Sequence, residues 1–273
     1  MKLTAITIAA LSAAITFAGQ NAAFISKPDK AKLVPEKAVS YLTLRPENHD
    51  KTVFYRITMQ VKSNQPDDTL VSRMTCNGKT QGWERISIKN TGWQKICRYI
   101  APGEEWSCTY NLKNKGKTFF VRNLKLEKLD ENDLTANLLP PLENAGWHDT
   151  WGKKQAANRF EKSDESPFGE YVFTSEINKG TCYPATLSVP AVPGRTLLIE
   201  AWVKGEPDEI WMATLSNRGS KIFPVKKEWS RQEIRIKVKD NSVPAVAKIV
   251  FWKPKTDKAL KITFGQVKAS YEK

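Results

Sequence analysis

One pattern of residues occurs twice in this chain of 273 residues, and the repeat limits the folds that the chain can adopt. The two copies occupy residues 53–62 with 120–126, and residues 193–204 with 262–268. Val61 and Leu124 are 63 positions apart, and the corresponding Val203 and Val267 are 64 apart. Because a long fixed period marks a repeated folding unit, the pattern predicts two copies of one domain, each with its own core.

Both copies contain runs in which apolar and polar residues alternate. Ile57, Met59 and Val61 alternate with polar neighbours in the first copy, and Ile234 and Ile236 do so in the second. An alternation of period two predicts strands that bury one face. Turn signals of Pro and Gly separate these runs, and no useful helical stretch is expected after the N-terminal segment. The chain is therefore predicted to be all-β, with strands stacked in sandwiches.

The two copies are not equal in length. A polar run and a stiff Leu-Pro-Pro-Leu run predict a boundary, which gives domains at residues 24–134 and 137–273. The second copy has a long opening from Gly146 to Tyr183 before its first matching strand. The two copies are offset by 142 positions, the distance from Val61 to Val203. A counterpart of this opening in the first copy would therefore begin inside the N-terminal segment. The first sandwich is therefore expected to be incomplete or rearranged.

The N-terminal segment has the features of a secretory signal peptide. Lys2 precedes an apolar stretch at residues 3–17, which is short for a membrane span. We expect a signal peptide at residues 1–18, with cleavage as late as residue 23 as a second option. No membrane span is expected in the rest of the chain. The predicted location is secreted, periplasmic or at the cell surface.

The net charge of +14 is spread almost evenly along the chain. Residues 24–140 contain 20 basic and 13 acidic residues, and residues 141–273 contain 22 and 16. A generally basic surface attracts anionic surfaces and acidic polysaccharides, so association with a cell envelope is one expectation. The alternative interpretation is that the basic surface serves only to keep the protein soluble. Nucleic acid is the usual partner of basic proteins, but the expected export argues against it.

Four cysteines allow three pairings, among which the sequence cannot choose. Cys97 and Cys108 are the disulfide candidate, because a hairpin centred on Pro102-Gly103 would place them opposite each other. Cys76 and Cys182 either join the two domains or stay free. No pair has the close spacing of a zinc or redox site.

The second half contains a set of motifs: Asn144-Ala145-Gly146-Trp147, Gly169 to Phe173, Pro193 to Lys204, Trp229 with the strand after it, and Ile262 to Val267. Together they resemble the carbohydrate-binding modules of the galactose-binding-like superfamily, which are often attached to bacterial cellulases and xylanases. In the first half Tyr55, Trp93 and residues 121–126 carry a weaker resemblance. The resemblance of the two halves implies two tandem jelly-roll β-sandwiches.

One departure from the family bears on metal binding. Family members commonly close with an Asp pair on the last strand, in a region that helps hold a structural calcium ion. The corresponding positions here are Arg122-Asn123 and Gly265-Gln266. Calcium requires several oxygen ligands and a positive Arg repels it, so no calcium site is expected. No other metal and no cofactor are expected either.

Binding of a glycan by such a module requires an exposed aromatic ring against the apolar face of a sugar, with polar side chains for the hydroxyl groups. The predicted ligand-binding residues are Trp151, Tyr171, Tyr183 and Trp211, all in the second half. Ordinary packing in the sandwich is the alternative for each of them. Trp93, Trp202 and Trp229 are interpreted as packing residues.

These observations favour an exported, non-catalytic protein that binds a poly- or oligosaccharide, with acidic polysaccharides among the candidates. One alternative is a structural or adhesive envelope protein that uses the sandwiches for protein contacts. A small glycoside hydrolase is the other, because two carboxylates are sufficient for that chemistry. The sequence contains no phosphate loop, serine elbow or zinc signature.

Overall fold

A computed structural model describes most of the chain after residue 49, together with two short segments before it. The described residues are 22–25, 41–44, 50–65, 68–76, 79–88, 91–103, 106–114, 117–139, 156–164, 166, 171–177, 180–207, 209–216, 218–256 and 259–273. The predicted signal peptide at residues 1–18 lies outside them. No helix in these ranges is long and apolar enough to cross a membrane.

The described chain is almost entirely β-structure, as predicted. The first half contains β1 (Ala22–Ile25), β2 (Tyr41–Leu44), β3 (Tyr55–Ser63), β4 (Asp68–Cys76), β5 (Lys79–Ile88), β6 (Gln94–Ile100), β7 (Trp106–Asn111), β8 (Lys113–Asn114) and β9 (Lys117–Lys128). The second half contains β10 (Ala156–Lys162), β11 (Tyr171–Ile177), β12 (Gly180–Ala191), β13 (Thr196–Gly205), β14 (Glu209–Leu215), β15 (Ser220–Val225), β16 (Ser230–Lys237), β17 (Ala245–Thr256) and β18 (Leu260–Tyr271). A short helix, α1 (Glu131–Thr135), lies between the halves.

The strands form four sheets, two in each half, which confirms the prediction of two tandem β-sandwiches. In the first half the orders are β1-β2-β7-β4-β5 and β6-β3-β9-β8. In the second half they are β12-β17-β14-β15 and β10-β11-β18-β13-β16. The order β6-β3-β9 corresponds to β16-β13-β18, so the sequence repeat is a repeat of sheet topology.

The strand register shows the repeat residue by residue. β3 and β9 change register between Thr58 and Gln60, and β13 and β18 change register between Trp202 and Val203. One extra residue on β9 and on β18 produces the change, which is a β-bulge. At the first bulge Asn123 has a φ of 52°, a conformation that Asn adopts more readily than most residues. The spacings of 63 and 64 residues therefore reflect two copies of one bulged strand pair.

The first sandwich was predicted to be incomplete or rearranged, and its described strands do differ from those of the second. In the second half β11 and β10 continue the sheet beyond β18. In the first half only the two-residue β8 lies beside β9, and no described strand corresponds to β10 or β11. The open side of β9 is therefore a structural difference between the two copies.

Each half has its own hydrophobic core. The first core contains residues from β2 to β9, among them Leu42, Ile57, Leu70 and Tyr110. The second contains residues from β11 to β18, and it also includes Phe54, Tyr99, Leu129, Leu138 and Leu139. These five residues come from the first half and the junction, so the second core extends across the boundary.

The junction is structured rather than a simple extended linker. Asp130 caps α1 by accepting a hydrogen bond from Asp133 N at 2.9 Å, and Asp133 Oδ2 accepts from Asp130 N at 3.2 Å. After the helix, Leu138 N donates to Ala269 O on β18 at 2.7 Å. The junction therefore adds backbone hydrogen bonds to the last strand of the second sandwich. The domain limits 24–134 and 137–273 stay a prediction.

Candidate functional site

A groove of about 490 Å³ lies on the outer face of the sheet β6-β3-β9 in the first half. Its lining combines cationic, anionic and amide side chains with a short apolar wall. The lining residues are Arg56, Thr58, Met59, Gln60, Lys95, Cys97, Tyr99, Asn123, Lys125, Glu127, Asn137, Leu138 and Leu139. This volume is within the range of sites that hold small ligands or a few units of a polymer.

The alternation in β3 explains why this face is polar. Tyr55, Ile57, Met59 and Val61 are buried against the opposite sheet, and the residues between them are only half-buried. Because successive side chains of a strand point to opposite faces, the intervening residues point into the groove. The polar lining is the solvent side of the same pattern that builds the first core.

Ion pairs and a buried tyrosine order one end of the groove. Arg56 Nη2 donates to Asp133 Oδ1 at 3.0 Å and to Glu127 Oε2 at 3.4 Å. Loss of solvation acts to lower the pKa of Arg56, but the pKa is raised overall by its electrostatic interactions with neighbouring groups, of which Asp133 is the strongest. Tyr99 Oη donates to Leu138 O at 2.5 Å, which joins β6 to the junction. Burial raises the pKa of Tyr99 well above its ordinary value, so the phenol remains a donor.

Two aromatic rings, those of Trp93 and Phe120, lie with two cations beyond the other end of the groove; we call these rings the aromatic cluster. Trp93 is half-buried just before β6, and the Arg122 guanidinium carbon lies 4.2 Å from the centroid of its ring. Lys62 Nζ lies 5.1 Å from the same centroid and 5.2 Å from that of Phe120. Gln60 Oε1 accepts from Arg122 Nε at 2.7 Å, and it also lines the groove. The groove and the cluster are therefore continuous.

The corresponding face of the second half has a different character. Arg231 pairs with Glu200, Arg235 pairs with Glu233, and Arg235 Nε also lies 2.6 Å from Glu272 Oε1. By strand register, Arg231 and Arg235 occupy the positions of Lys95 and Tyr99 in the first half. Oppositely charged side chains thus cover this face.

The structure corrects the prediction for Trp211. Its side chain is only 1% exposed and packs in the second core, so it cannot present a ring to a ligand. The neighbouring Ile210 and Ile222 are exposed instead. In β14 both faces are rich in apolar residues, and the sequence alone did not show which of them is buried.

The other three predicted aromatics are not brought together by any described contact. Tyr171 begins β11 and is half-buried, with Lys162 Nζ 5.7 Å from the centroid of its ring. Tyr183 lies on β12, but its side chain is outside the described part. Trp151 lies outside the described residues altogether. All three remain predictions.

The predicted disulfide between Cys97 and Cys108 is wrong. Both cysteines are free, and they lie on β6 and β7, which belong to opposite sheets of the first sandwich. Pro102-Gly103 therefore connects two sheets instead of forming a two-stranded hairpin. Cys108 is buried in the core, whereas Cys97 lines the groove. Burial raises the pKa of both thiols, which disfavours the thiolate.

Sequence reasoning missed the groove and the role of Trp93. The lining residues come from three strands and the junction, and the sequence does not give the register that brings these together. One signal was present. Lys62 and Trp93 have exact counterparts in Lys204 and Trp229, whereas Arg122 corresponds to Gly265 by register. A position that carries a cation in one copy and a glycine in the other is a candidate for a function specific to the first copy.

Among the residues that the structure describes, no group of three or more His, Cys, Asp or Glu side chains could hold a metal ion. At the two positions considered for calcium, Arg122 lies over Trp93 and Gly265 lies against the ring of Trp229.

No protein-family model matches this chain, and no curated protein sequence matches it. Among solved structures, the chain is similar to the tandem CBM22-1-CBM22-2 domain of Paenibacillus barcinonensis Xyn10C, with 12% identity over 84% of this chain and 82% of that one and a TM-score of 0.37. A second similar structure is a carbohydrate-binding module of the β-sandwich superfamily, with 14% identity, 76% and 85% coverage and a TM-score of 0.37.

A third is TmCBM61 in complex with β-1,4-galactotriose, with 18% identity over 46% of this chain and 88% of that one and a TM-score of 0.33. All three likenesses are distant. At these identities and TM-scores the likeness carries no argument about the ligand or site of this chain.

Proposed function

We propose that this chain is an exported, non-catalytic carbohydrate-binding protein, and that the groove on the first sandwich binds a poly- or oligosaccharide. The observation that carries the proposal is the groove of about 490 Å³ with an aromatic cluster beyond one end. The sequence resemblance implies the same class of ligand, although it led us to expect the site in the second half.

The chemistry of the lining suits sugar hydroxyl groups. A hydroxyl both donates and accepts hydrogen bonds, so its recognition needs donors and acceptors close together. Gln60 and Asn123 provide amides, Lys95 and Lys125 provide donors, and Glu127 provides acceptors. The half-buried ring of Trp93 offers an aromatic edge beyond the groove. Such a site is expected to bind with micromolar to millimolar affinity, which is adequate for a dense polymer.

The strands support this face rigidly. β3 is paired with β6 on one side and with β9 on the other, so the groove has no free edge through its centre. The Arg56 ion pairs and the Tyr99 hydrogen bond fix the end at the junction. A preformed site loses less conformational entropy on binding than a loop would.

The test is binding of the whole exported chain to a panel of soluble polysaccharides by affinity electrophoresis and titration calorimetry. Gln60→Ala and Lys125→Ala are each expected to weaken binding about tenfold, since each removes hydrogen bonds to the ligand. Lys268→Ala is the matched control, because Lys268 is exposed at the position on β18 that Lys125 occupies on β9. It is expected to bind like the parent protein.

Two results would overturn the proposal: a folded protein that binds no glycan, or equal losses in Lys125→Ala and Lys268→Ala. Release of reducing sugar in the same samples would instead support the glycoside hydrolase alternative. The predicted contribution of the second sandwich is tested separately by Tyr171→Ala. A loss of binding in that variant would add the second sandwich to the site.

A further inference from the structure

The Arg122 side chain is held in a defined orientation on the surface of the first sandwich. Its guanidinium carbon lies 4.2 Å from the centroid of the Trp93 ring, which is the geometry of a cation–π contact. Its Nε donates to Gln60 Oε1 at 2.7 Å. In the part of the chain that the structure describes, its two Nη groups have no acceptor. Arg122 is exposed, so these groups are available to a ligand.

A second cation lies beside it. Lys62 Nζ is 5.1 Å from the centroid of the same Trp93 ring and 5.2 Å from that of Phe120. No carboxylate among the described residues forms an ion pair with Lys62 or Arg122. We call Gln60, Lys62, Trp93, Phe120 and Arg122 the cationic cluster. Both positive charges lie within 5.1 Å of the Trp93 ring centroid. Like charges around one ring repel each other, and a bound anion would relieve that repulsion.

The second half lacks this arrangement although it keeps most of its parts. Lys204 Nζ lies 5.0 Å from the centroid of Trp229, as Lys62 does from Trp93. The position of Arg122 is taken by Gly265, where an added Cβ would come within 3.0 Å of the Trp229 ring. The indole thus packs directly on the backbone, and no guanidinium fits between them. The arginine is specific to the first copy.

We propose that the cationic cluster binds the anionic group of an acidic polysaccharide whose chain lies in the adjacent groove. The planar guanidinium offers two parallel N–H donors, which match the oxygens of a carboxylate or of a sulfate ester. Uronic acids carry the former and sulfated sugars carry the latter. Gln60 and Asn123 link the two regions, since both line the groove and Asn123 Nδ2 also donates to Gln60 Oε1 at 3.1 Å. This inference rests on the proposed function.

The experiment compares polymers that differ only in charge. Polygalacturonic acid is compared with its methyl ester, and dextran sulfate is compared with dextran, each titrated into the whole exported chain. We expect tighter binding of at least one charged polymer than of its neutral partner, and a decrease of that preference as salt is raised. The two pairs distinguish a carboxylate from a sulfate ester as the recognised group.

Variants locate the effect. Arg122→Gln is expected to lower affinity for the charged polymer about tenfold, and Lys62→Gln to lower it about threefold, because the bidentate contact is the stronger of the two. Neither should change the affinity for a neutral polymer by a comparable factor. Lys204→Gln is the matched control at the equivalent position, and its binding is expected to equal that of the parent protein.

The outcomes separate this inference from the proposed function. Binding of neutral and charged polymers with equal affinity, or a charge preference that Arg122→Gln leaves intact, would overturn the inference and leave the carbohydrate-binding role in place. Absence of binding to every polymer by folded protein would overturn both. A preference that is lost in Arg122→Gln and kept in Lys204→Gln supports the cationic cluster.

Discussion

The outer faces of two equivalent sheets have the same backbone plan and opposite surface chemistry. In the first half, Thr58 and Gln60 on β3 point into an open groove. In the second half, the same positions on β13 are Glu200 and Trp202, and Glu200 pairs with Arg231 from the next strand. The repeat therefore preserves the strand pairing and the bulge, while the outward side chains differ.

The difference shows where function can change without cost to the fold. Most inward positions of both copies are apolar and buried, such as Leu70 in the first and Trp211 in the second, although Arg98 on β6 is a buried exception. Outward positions of a half-buried sheet tolerate many residues, so one copy can present a binding groove while the other is covered by ion pairs. The described strands add to the contrast, because none of those in the first half corresponds to β10 or β11, and β9 has the two-residue β8 on the side where β18 has β11.

The largest expected effect concerns the two cores. Leu70 pairs with Ile86 and Trp211 pairs with Phe223, and both residues are buried in corresponding strand pairs of the two sandwiches. Trp211→Ala is expected to lower the free energy of unfolding by about 3–5 kcal/mol and Leu70→Ala by about 2–5 kcal/mol, through lost burial and a cavity. Urea unfolding measures both values. A loss below about 1 kcal/mol in Trp211→Ala would contradict the buried position and revive an exposed indole.

Alkaline pH sharpens the comparison between β9 and β18. Tyr271 ends β18, whereas the matching residue on β9 is the exposed Lys128. Tyr271 Oη donates to Pro190 O at 2.7 Å and accepts from Val192 N at 3.0 Å. Burial raises the pKa of Tyr271 to about 12. Because the folded state holds this proton more tightly, the stabilisation is complete below pH 10 and is lost as pH rises towards 12.

Tyr271→Phe is therefore expected to show a smaller loss of stability across that pH interval. The full difference in free energy of unfolding amounts to about 2–3 kcal/mol for a shift of this size. Unfolding in urea at pH 8, 10 and 11.5 measures the part that has developed by pH 11.5, which is about 2 kcal/mol. Parallel pH profiles for the parent protein and the variant would contradict the assigned role of the phenol.

A smaller effect is expected where the first face meets the junction. Tyr99→Phe removes the hydrogen bond to Leu138 O and leaves that carbonyl without its donor, at a cost of about 1–3 kcal/mol. Arg235 holds the matching position in the second half, where it forms exposed ion pairs. Arg235→Gln serves as the control and is expected to leave the unfolding temperature unchanged. Equal shifts in the two variants would mean that the two faces are not as different as described.

Much of the fold could be predicted from the sequence, because it depends on local patterns. The alternation in β3 and β16 identified the strands, and the spacings of 63 and 64 residues identified the duplicated strand pair. The difference between the two copies in their described strands was expected from the same comparison. These properties need no knowledge of which distant strands are neighbours.

The site depended on neighbours that are distant in sequence. Cys97 and Cys108 were expected to face each other across a turn, but the chain crosses between sheets at that point. Ile210, Trp211 and Met212 are all apolar, so the sequence did not indicate which side chains of β14 face the core. The groove requires the register of three strands, β3, β6 and β9, whose centres are far apart in the chain. Pairings of this kind are set by tertiary packing.

The most direct measurement is a crystal structure of the protein with the tightest-binding oligosaccharide from the polymer panel. We expect density for sugar rings across β6, β3 and β9, in contact with Gln60 and Asn123, with an acidic group at the Nη atoms of Arg122. Density confined to the second sandwich, or a ligand that leaves the first groove empty, would contradict the account.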